Sequence, residues 1–394
     1  MRLRIWILSL SFWLISSPYI FGQEVTQAEP QVSFVDEKKP HSYYVRQAER
    51  WWEETQKDRS SETNWYNYYR ACRNAHGTAN WSKDFVEESP SLRLGADIIQ
   101  LMEQHIPETF TLYYVKGSDW GANPSFGEYL KKAYQMNPNF RGIHSSMVSL
   151  AQSTHDMKLR RAVNQQWFMQ NNMAPGFMTY GYNMLQSVLP NGIVLTQGDN
   201  DTYPAWMLKD AKNIRPDVTI INIDFLLVES YRDPIFNELG IPPFALENID
   251  INEYEFNWKN IAKHLLTHYK GNRPLHLSMT VNKKYYEGFE DNMNLCGLTW
   301  KYGEDLKYPT KENMEILLDR FLLDHLKANL TYSPAQGRVD EINTHYLHIF
   351  KLAREAYKKL GNEKEIAAYL SLGEGIIEKI DGPNRQESLR QKFQ

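Results

Sequence analysis

Apolar residues recur at helical spacing from His41 to about Leu189, and short turns rich in Asn, Pro and Gly separate the runs. A period of 3.6 residues places such residues on one helix face, where they can be buried. Asp156 precedes one run and is a predicted N-cap, because a carboxylate accepts the free N–H groups of a first turn. The pattern predicts six helices: Tyr43–Thr55, Asn64–His76, Leu92–Gln104, Phe126–Met136, His144–Ser153 and Asp156–Met169.

The pattern changes at Pro190. Gly192–Thr196 and Val218–Ile223 are short runs rich in aliphatic, largely β-branched residues, which is typical of buried strands. Thr202–Asn213 between them has a helical pattern, and a strand, helix and strand in this order place the two strands parallel in one sheet. Further predicted elements are the helix Asn257–Tyr269 and the strands Leu275–Val281 and Gly297–Tyr302.

Helical patterns return after residue 305, at Lys311–Leu330, Glu341–Leu360 and Glu363–Ile380. The last two and the segment Tyr129–Phe140 loosely resemble the helical hairpins of tetratricopeptide repeats. The predicted fold class is α/β plus all-α, with a small parallel-dominated α/β unit inserted between tetratricopeptide-like helical segments. The predicted divisions are a signal peptide (1–22), a flexible lead-in (23–40), a helical repeat-like domain (41–189), an α/β domain (190–305) and C-terminal tetratricopeptide-like helices (306–394).

The first residues have the pattern of a secretory signal. Arg2 and Arg4 precede an apolar stretch from Ile5 to Phe21, and a small residue, Gly22, precedes the polar chain. We expect cleavage after Gly22 and a periplasmic or otherwise extracytoplasmic mature chain that is not inserted in the membrane. An uncleaved anchor is the alternative, because the stretch has the length of the shortest membrane spans. With no Cys at its end, a lipoprotein is not expected.

Composition narrows the classes of partner. The 394 residues include 44 Lys and Arg and 48 Asp and Glu, a net charge of −4, so we expect no nucleic-acid partner. A hydrophobic share of 42% is that of a globular protein. An oxidising compartment would permit a bridge between the only two cysteines, Cys72 and Cys296, and two buried thiols are the alternative.

The common catalytic and cofactor motifs are missing. The sequence has no nucleophile elbow, no dinucleotide-binding glycine motif and no Walker loop, so no cofactor is predicted. His264 and His268 have the four-residue spacing of zinc ligands, but the glutamate that accompanies them in zinc proteases is missing. We expect them to be surface histidines, and the sequence leaves open whether a metal binds elsewhere.

The polar loop from Gln197 to Asp201 is the best candidate site. It follows the first predicted strand and begins a helix, where α/β sheets bind ligands and free N–H groups point outward. Two carboxylates there disfavour a phosphate and suit a divalent cation or sugar hydroxyls. The candidate ligand-binding residues are Asp199, Asn200, Asp201, Thr202, Tyr203 and Trp206.

A purely structural role is the alternative for the same loop. Asp201 or Thr202 would then cap the helix, Asp199 would bind loop amides, and the two aromatic residues would pack on the sheet. Because two buried carboxylates one residue apart would repel each other, we expect Asp201 to take the structural role. We expect Asp199 to be exposed and to face any ligand.

The stretches Gly192–Trp206, Ile214–Val218 and Ile221–Asn222 resemble the soluble extracytoplasmic region of a bacterial membrane-protein family. That family is related to the transmembrane-protein-260 type of protein O-mannosyltransferase and is common in Bacteroidetes. Its members carry a multi-helix membrane domain that is expected to transfer the sugar. This chain has only the signal segment, so the resemblance implies the α/β module and its helical neighbours but no catalytic residue.

We therefore expect a non-catalytic binding or scaffold protein of the cell envelope, accessory to protein or surface glycosylation. Its expected partner is a protein held by the helical repeats or a glycan. The alternative is an envelope enzyme, or an enzyme subunit, that acts on glycans through Asp199 and Asp201. Such an enzyme would need further polar residues beside these two, and Asn222, Asp224 and Glu229 are the candidates near the end of the second strand.

Overall fold

A computed structural model describes residues 27–37, 39–79, 91–119, 123–244, 254–303, 310–328 and 333–394. Eight α-helices precede the first strand in these residues. The predicted N-cap is confirmed, because the Asp156 carboxylate accepts a hydrogen bond from the Leu159 N–H (2.9 Å). The helices are α1 (His41–Lys57), α2 (Glu62–Thr78), α3 (Gly95–His105), α4 (Phe110–Ser118), α5 (Gly127–Met136), α6 (Ile143–Ser153), α7 (Met157–Gln170) and α8 (Pro175–Ser187).

The middle of the chain forms the predicted sheet with its helices. In chain order the elements are β1 (Ile193–Thr196), α9 (Asp199–Lys212), β2 (Thr219–Asn222), α10 (Glu229–Leu239), α11 (Tyr254–His268), β3 (Leu275–Ser278), β4 (Met293–Cys296) and β5 (Thr299–Tyr302). The strand order is β2-β1-β3-β5-β4. Strand β1 pairs in parallel with β2 and β3, as expected for the strand-helix-strand unit.

The sheet is mixed and not parallel-dominated as predicted. Strand β5 pairs antiparallel with both β3 and β4, so two of the four strand pairings in the sheet are antiparallel. The β4–β5 pairing follows from the two-residue turn at Gly297, whose φ of 60° suits glycine and which folds the two strands into a hairpin. Only the second strand of this hairpin was predicted.

The C-terminal part is helical, but the predicted helix Lys311–Leu330 is not continuous. It consists of α12 (Thr310–Glu315), a π-helical turn (Ile316–Arg320) and α13 (Asp324–Lys327), and its last two residues lie outside the described residues. The chain continues as α14 (Gln336–Asn343), α15 (Tyr346–Lys359), α16 (Glu363–Ile377) and α17 (Pro383–Phe393). The tetratricopeptide resemblance of α15 and α16 stays a prediction.

One hydrophobic core joins helices from both ends of the chain to the sheet. It contains Val194 of β1 together with residues of the N-terminal and C-terminal helices. The neighbouring residues Ile193 and Leu195 point to the other face, into a second core with α10 and α11. The sheet is therefore covered on both faces, and the division into three domains stays a prediction.

Residues 27–37 belong to the expected flexible lead-in, but they are packed on α1 and α2. The Gln31 N–H donates to the Asn67 side chain (2.6 Å). The amide of Asn74 accepts from the Phe34 N–H (3.1 Å) and donates to the Val32 carbonyl (2.7 Å). Buried amides thus satisfy the backbone of the segment, which its polar composition did not reveal.

The predicted signal peptide at residues 1–22 lies outside the described residues. In the described part of the chain, no helix has the length and apolar character needed to cross a membrane. The two cysteines are separate buried thiols. The Cys296 thiol donates to the Ser187 carbonyl (3.0 Å).

Replacement of Asn74 by alanine tests the docking of residues 32–35. The side chain is fully buried, and its loss leaves the Phe34 N–H and the Val32 carbonyl without their partner. We expect the free energy of unfolding to fall by about 1–3 kcal/mol and limited proteolysis to cut near residue 34. The exposed Asn237→Ala is the control. Equal melting and proteolysis of the two variants would contradict this docking.

Candidate functional site

The carboxyl ends of the three parallel strands meet at a polar network. The Asn222 amide, at the end of β2, donates to the Gly198 carbonyl (3.1 Å) and to the Thr202 hydroxyl (2.9 Å). The Asp224 carboxylate accepts from the Gly198 N–H (2.9 Å). Asn222, the last residue of β2, and Asp224, just after it, thereby hold both polar groups of the Gly198 backbone.

Asp201 connects α9 with the end of β3. Its carboxylate is 1% exposed and accepts from the Gln197 N–H (3.3 Å) and from the Thr280 hydroxyl. The helix begins at Asp199, so Asp201 is in its first turn and does not cap it as expected. Its burial raises the pKa of the carboxyl to about 7, and the hydrogen bond from Thr280 opposes this rise.

The network determines the backbone at Gly198. Its φ of 77° and ψ of −165° lie in a region that is essentially open to glycine alone. This conformation ends the strand and starts α9 within two residues, since β1 ends at Thr196 and α9 begins at Asp199. The helix that follows packs on the sheet: the Thr202 hydroxyl donates to the Thr196 hydroxyl at the end of β1 (2.8 Å), and Trp206 shares a core with Val194.

A cavity of about 660 Å³ lies beside the first turns of α9. Its walls come from the segment before α1, from α2, α4, α6, α7, α8 and α9, and from residues 333–335. Six aromatic residues line it: Phe34, Tyr114, Trp167, Phe177, Tyr203 and Phe225. Five charged residues line it as well: Asp36, Arg70, Arg73, Arg141 and Asp199. Its volume is in the range of small-molecule sites, about 300–1,000 Å³.

Asp199 faces this cavity. The residue has exposed surface, but the surrounding protein partly removes water from its carboxyl, and this desolvation raises the pKa. The negative charges of Asp224 and Asp36 raise the pKa further. Together they raise its pKa to about 6, against the weaker opposing charge of Arg73. Asp36 likewise has a raised pKa because of burial, with Arg141 and Arg70 acting in the opposite direction.

The predicted site residues separate into two groups. Asp199, Asn200 and Tyr203 line the cavity, and the buried Tyr203 hydroxyl is 2.7 Å from the Ser149 hydroxyl. Asp201, Thr202 and Trp206 do not line it and are buried in the protein. The structure thus does not bring Asp199 and Asp201 into one site.

The other candidates have structural contacts. Asn222 and Asp224 hold the loop, as described, while the Glu229 carboxylate is exposed and 3.8 Å from Arg232. His264 and His268 are partly exposed, and the His264 Nε2 atom is 2.8 Å from the Pro242 carbonyl oxygen. No group of three or more His, Cys, Asp or Glu side chains in the described ranges is arranged to hold a metal ion.

Sequence reasoning missed the arginines of the cavity. Arg70 and Arg73 lie on α2, Arg141 precedes α6, and none belongs to a motif. The three-residue spacing of Arg70 and Arg73 on one helix is the only local signal, because residues three apart share a helix face.

Residues 177–238 match the family model described as TMEM260-associated domain 2. The match runs from α8 through β1, α9 and β2 into α10, and it therefore includes the polar network and Asp199. It supports a relation to the TMEM260 type of protein at a coarse level. No curated protein and no solved structure matches the chain.

Alanine variants of the two aspartates test their separate roles. Asp201→Ala removes the buried acceptor of the Gln197 N–H and the Thr280 hydroxyl, and we expect a loss of about 1–3 kcal/mol in the free energy of unfolding. Asp199→Ala changes an exposed side chain, and we expect an effect within about 0.5 kcal/mol. Thermal melts at pH 7 compare the two, and the reverse order would show that the roles are exchanged.

Gly198→Ala tests the backbone of the loop. A Cβ at this position meets no atom within 4 Å, so any loss comes from the conformation alone. We expect a loss of about 1–3 kcal/mol. Gly375, inside α16, has equally open surroundings, and Gly375→Ala is expected to stabilise the protein by about 0.5–1 kcal/mol. Chemical denaturation of both variants measures this, and an unaffected Gly198→Ala would refute the proposed strain.

Proposed function

We propose that the chain is a non-catalytic, extracytoplasmic binding protein for a saccharide, and that the cavity beside α9 is its binding site. The observation that carries the proposal is the combination of aromatic rings and polar groups around one cavity. Ligand sites of small molecules are mostly apolar, with a few polar groups that fix orientation. A sugar ring offers both an apolar face for the rings and hydroxyls for the polar groups.

Asp199 gives the cavity a hydrogen-bond acceptor for hydroxyls. Its neighbours Asn200 and Tyr203 line the same wall, and Asn171 and Asn172 line the cavity from the turn after α7. An amide offers both donors and acceptors, and sugar hydroxyls require both. The basic and apolar pattern of residues 1–22 supports the extracytoplasmic part of the proposal, and the match to a TMEM260-associated domain supports an accessory role in glycosylation.

An enzyme that acts through Asp199 and Asp201 is less well supported. Glycoside hydrolysis uses two carboxyl groups on either side of one bond. Asp201 is turned onto the Gln197 N–H and the Thr280 hydroxyl, and it does not line the cavity. A scaffold that binds a protein through its helices is the remaining alternative.

A saccharide panel tests the proposal with the full chain. We expect at least one neutral or acidic mono- or disaccharide to raise the melting temperature, and mass spectrometry to recover it unchanged. Asp199→Asn keeps the shape but removes the negative acceptor, and we expect it to weaken binding about tenfold or more. The exposed Asp381→Asn is the control.

Binding that is equal in Asp199→Asn and in the control would place the ligand outside the cavity. Conversion of the saccharide would favour the enzyme. A panel without any binding would contradict the proposed function.

A further inference from the structure

The charges around the cavity are partly matched within the protein. The Arg73 guanidinium is 3.0 Å from the Asp119 carboxylate. The Arg141 guanidinium is 3.7 Å from the Asp36 carboxylate. Two charged residues of the cavity, Arg70 and Asp199, have no ion-pair partner among the described residues.

Arg70 is an unusual residue for such a position. It lines the cavity, yet it is only 9% exposed, and its Nε has no hydrogen-bond partner in the described part of the chain. Its guanidinium carbon is 5.8 Å from the ring centres of both Tyr66 and Tyr69. The guanidinium interacts with the Tyr66 side chain and feels the charge of Asp36, but no carboxylate of the described residues forms an ion pair with it, and Asp36 is paired with Arg141. A buried cation without an ion pair favours an anion that enters the cavity.

The start of α6 lies on the same wall. Gly142, Ser145 and Ser146 line the cavity, and no side chain caps this helix. Tyr114 lies beside this helix start, because a Cβ on Gly142 would be 3.0 Å from the Tyr114 hydroxyl. Burial raises the pKa of that hydroxyl, and the charge of Arg70 opposes the rise. A helix start carries a partial positive charge and therefore favours the same anion as Arg70.

The α9 wall favours a different group. The negative Asp199 carboxylate suits a sugar hydroxyl, which can donate a hydrogen bond to it. Within one cavity, a bound molecule thus meets a buried arginine, a helix start and the carboxylate of Asp199.

We propose that the ligand is an acidic saccharide, whose phosphate or carboxylate binds Arg70 and the first turn of α6 while its hydroxyls bind Asp199. This inference rests on the proposed saccharide-binding function and adds the anionic group to it. The sequence alone disfavoured a phosphate because of the two aspartates of the loop. In the structure Asp201 is turned away from the cavity, and three arginines, Arg70, Arg73 and Arg141, outnumber the two carboxylates that line it.

The test is a calorimetric titration of the full chain at pH 7. The probes are glucose, galactose and mannose, each as the neutral hexose, the 6-phosphate and the uronate, together with inorganic phosphate alone. We expect at least one acidic hexose to bind ten times more tightly than its neutral parent. The 6-phosphates and the uronates distinguish the two sources of the negative charge.

Two arginine variants locate the effect. Arg70→Met removes the charge and is expected to abolish the tenfold preference. Arg46→Met is the matched control, because Arg46 also lies on a helix with an unpartnered Nε but does not line the cavity. Arg70→Lys retains the positive charge, and we expect it to keep part of the preference. This variant also provides a test if Arg70→Met does not fold.

The outcomes separate the inference from the proposed function. If neutral and acidic forms bind equally, or if the preference persists in Arg70→Met, the inference is wrong while saccharide binding stands. If inorganic phosphate binds as tightly as the 6-phosphates, the cavity holds a simple anion site and the inference is again wrong. If none of the hexoses binds, the proposed function itself is contradicted.

Discussion

Gln197 and Gly198 come directly after the last residue of β1, so their backbone groups lie beyond the paired strands. Side chains must therefore supply the hydrogen bonds that the sheet no longer provides. Asn222 and Asp224 bind Gly198, and Asp201 binds Gln197. Because these partners follow β2 or begin α9, they fix the helix relative to the ends of the strands. The side chains that α9 contributes to the cavity depend on this arrangement.

The network also explains why two neighbouring aspartates differ in role. Residues two apart in a first helical turn point in different directions, so Asp201 faces the strand ends when Asp199 faces the cavity. Burial makes Asp201 part of the protein's own hydrogen bonding, and its side chain is not available to a ligand. Among the described residues, Asp199 has no such hydrogen-bond partner, and its side chain lines the cavity.

Local patterns predicted the strands β1, β2, β3 and β5 and most of the helices, because regular burial repeats along each element. They missed α8, in which polar residues such as Asn183 and Ser187 are as buried as the apolar ones. They also missed α10, because it contains Pro234, a residue that is unfavourable inside a helix. They placed the start of α9 too late, because its first residues, Asp199 to Asp201, have the composition of a loop.

The candidate loop was found from the sequence, since strand ends and helix starts have local signals. The rest of the cavity was not. Its walls combine Asp36, Arg70, Arg141, Asp199 and Ser333, which lie far apart in the chain. Only the packing of N-terminal and C-terminal helices on one core brings them together, and no single segment carries that information.

The most direct measurement is an experimental structure of the chain with a bound saccharide. We predict that the sugar lies in the cavity, with a hydroxyl at hydrogen-bond distance from Asp199 and with Gly198 still held by Asn222 and Asp224. A sugar bound elsewhere on the chain, or a loop in which Asp201 has replaced Asp199 in the cavity, would contradict it.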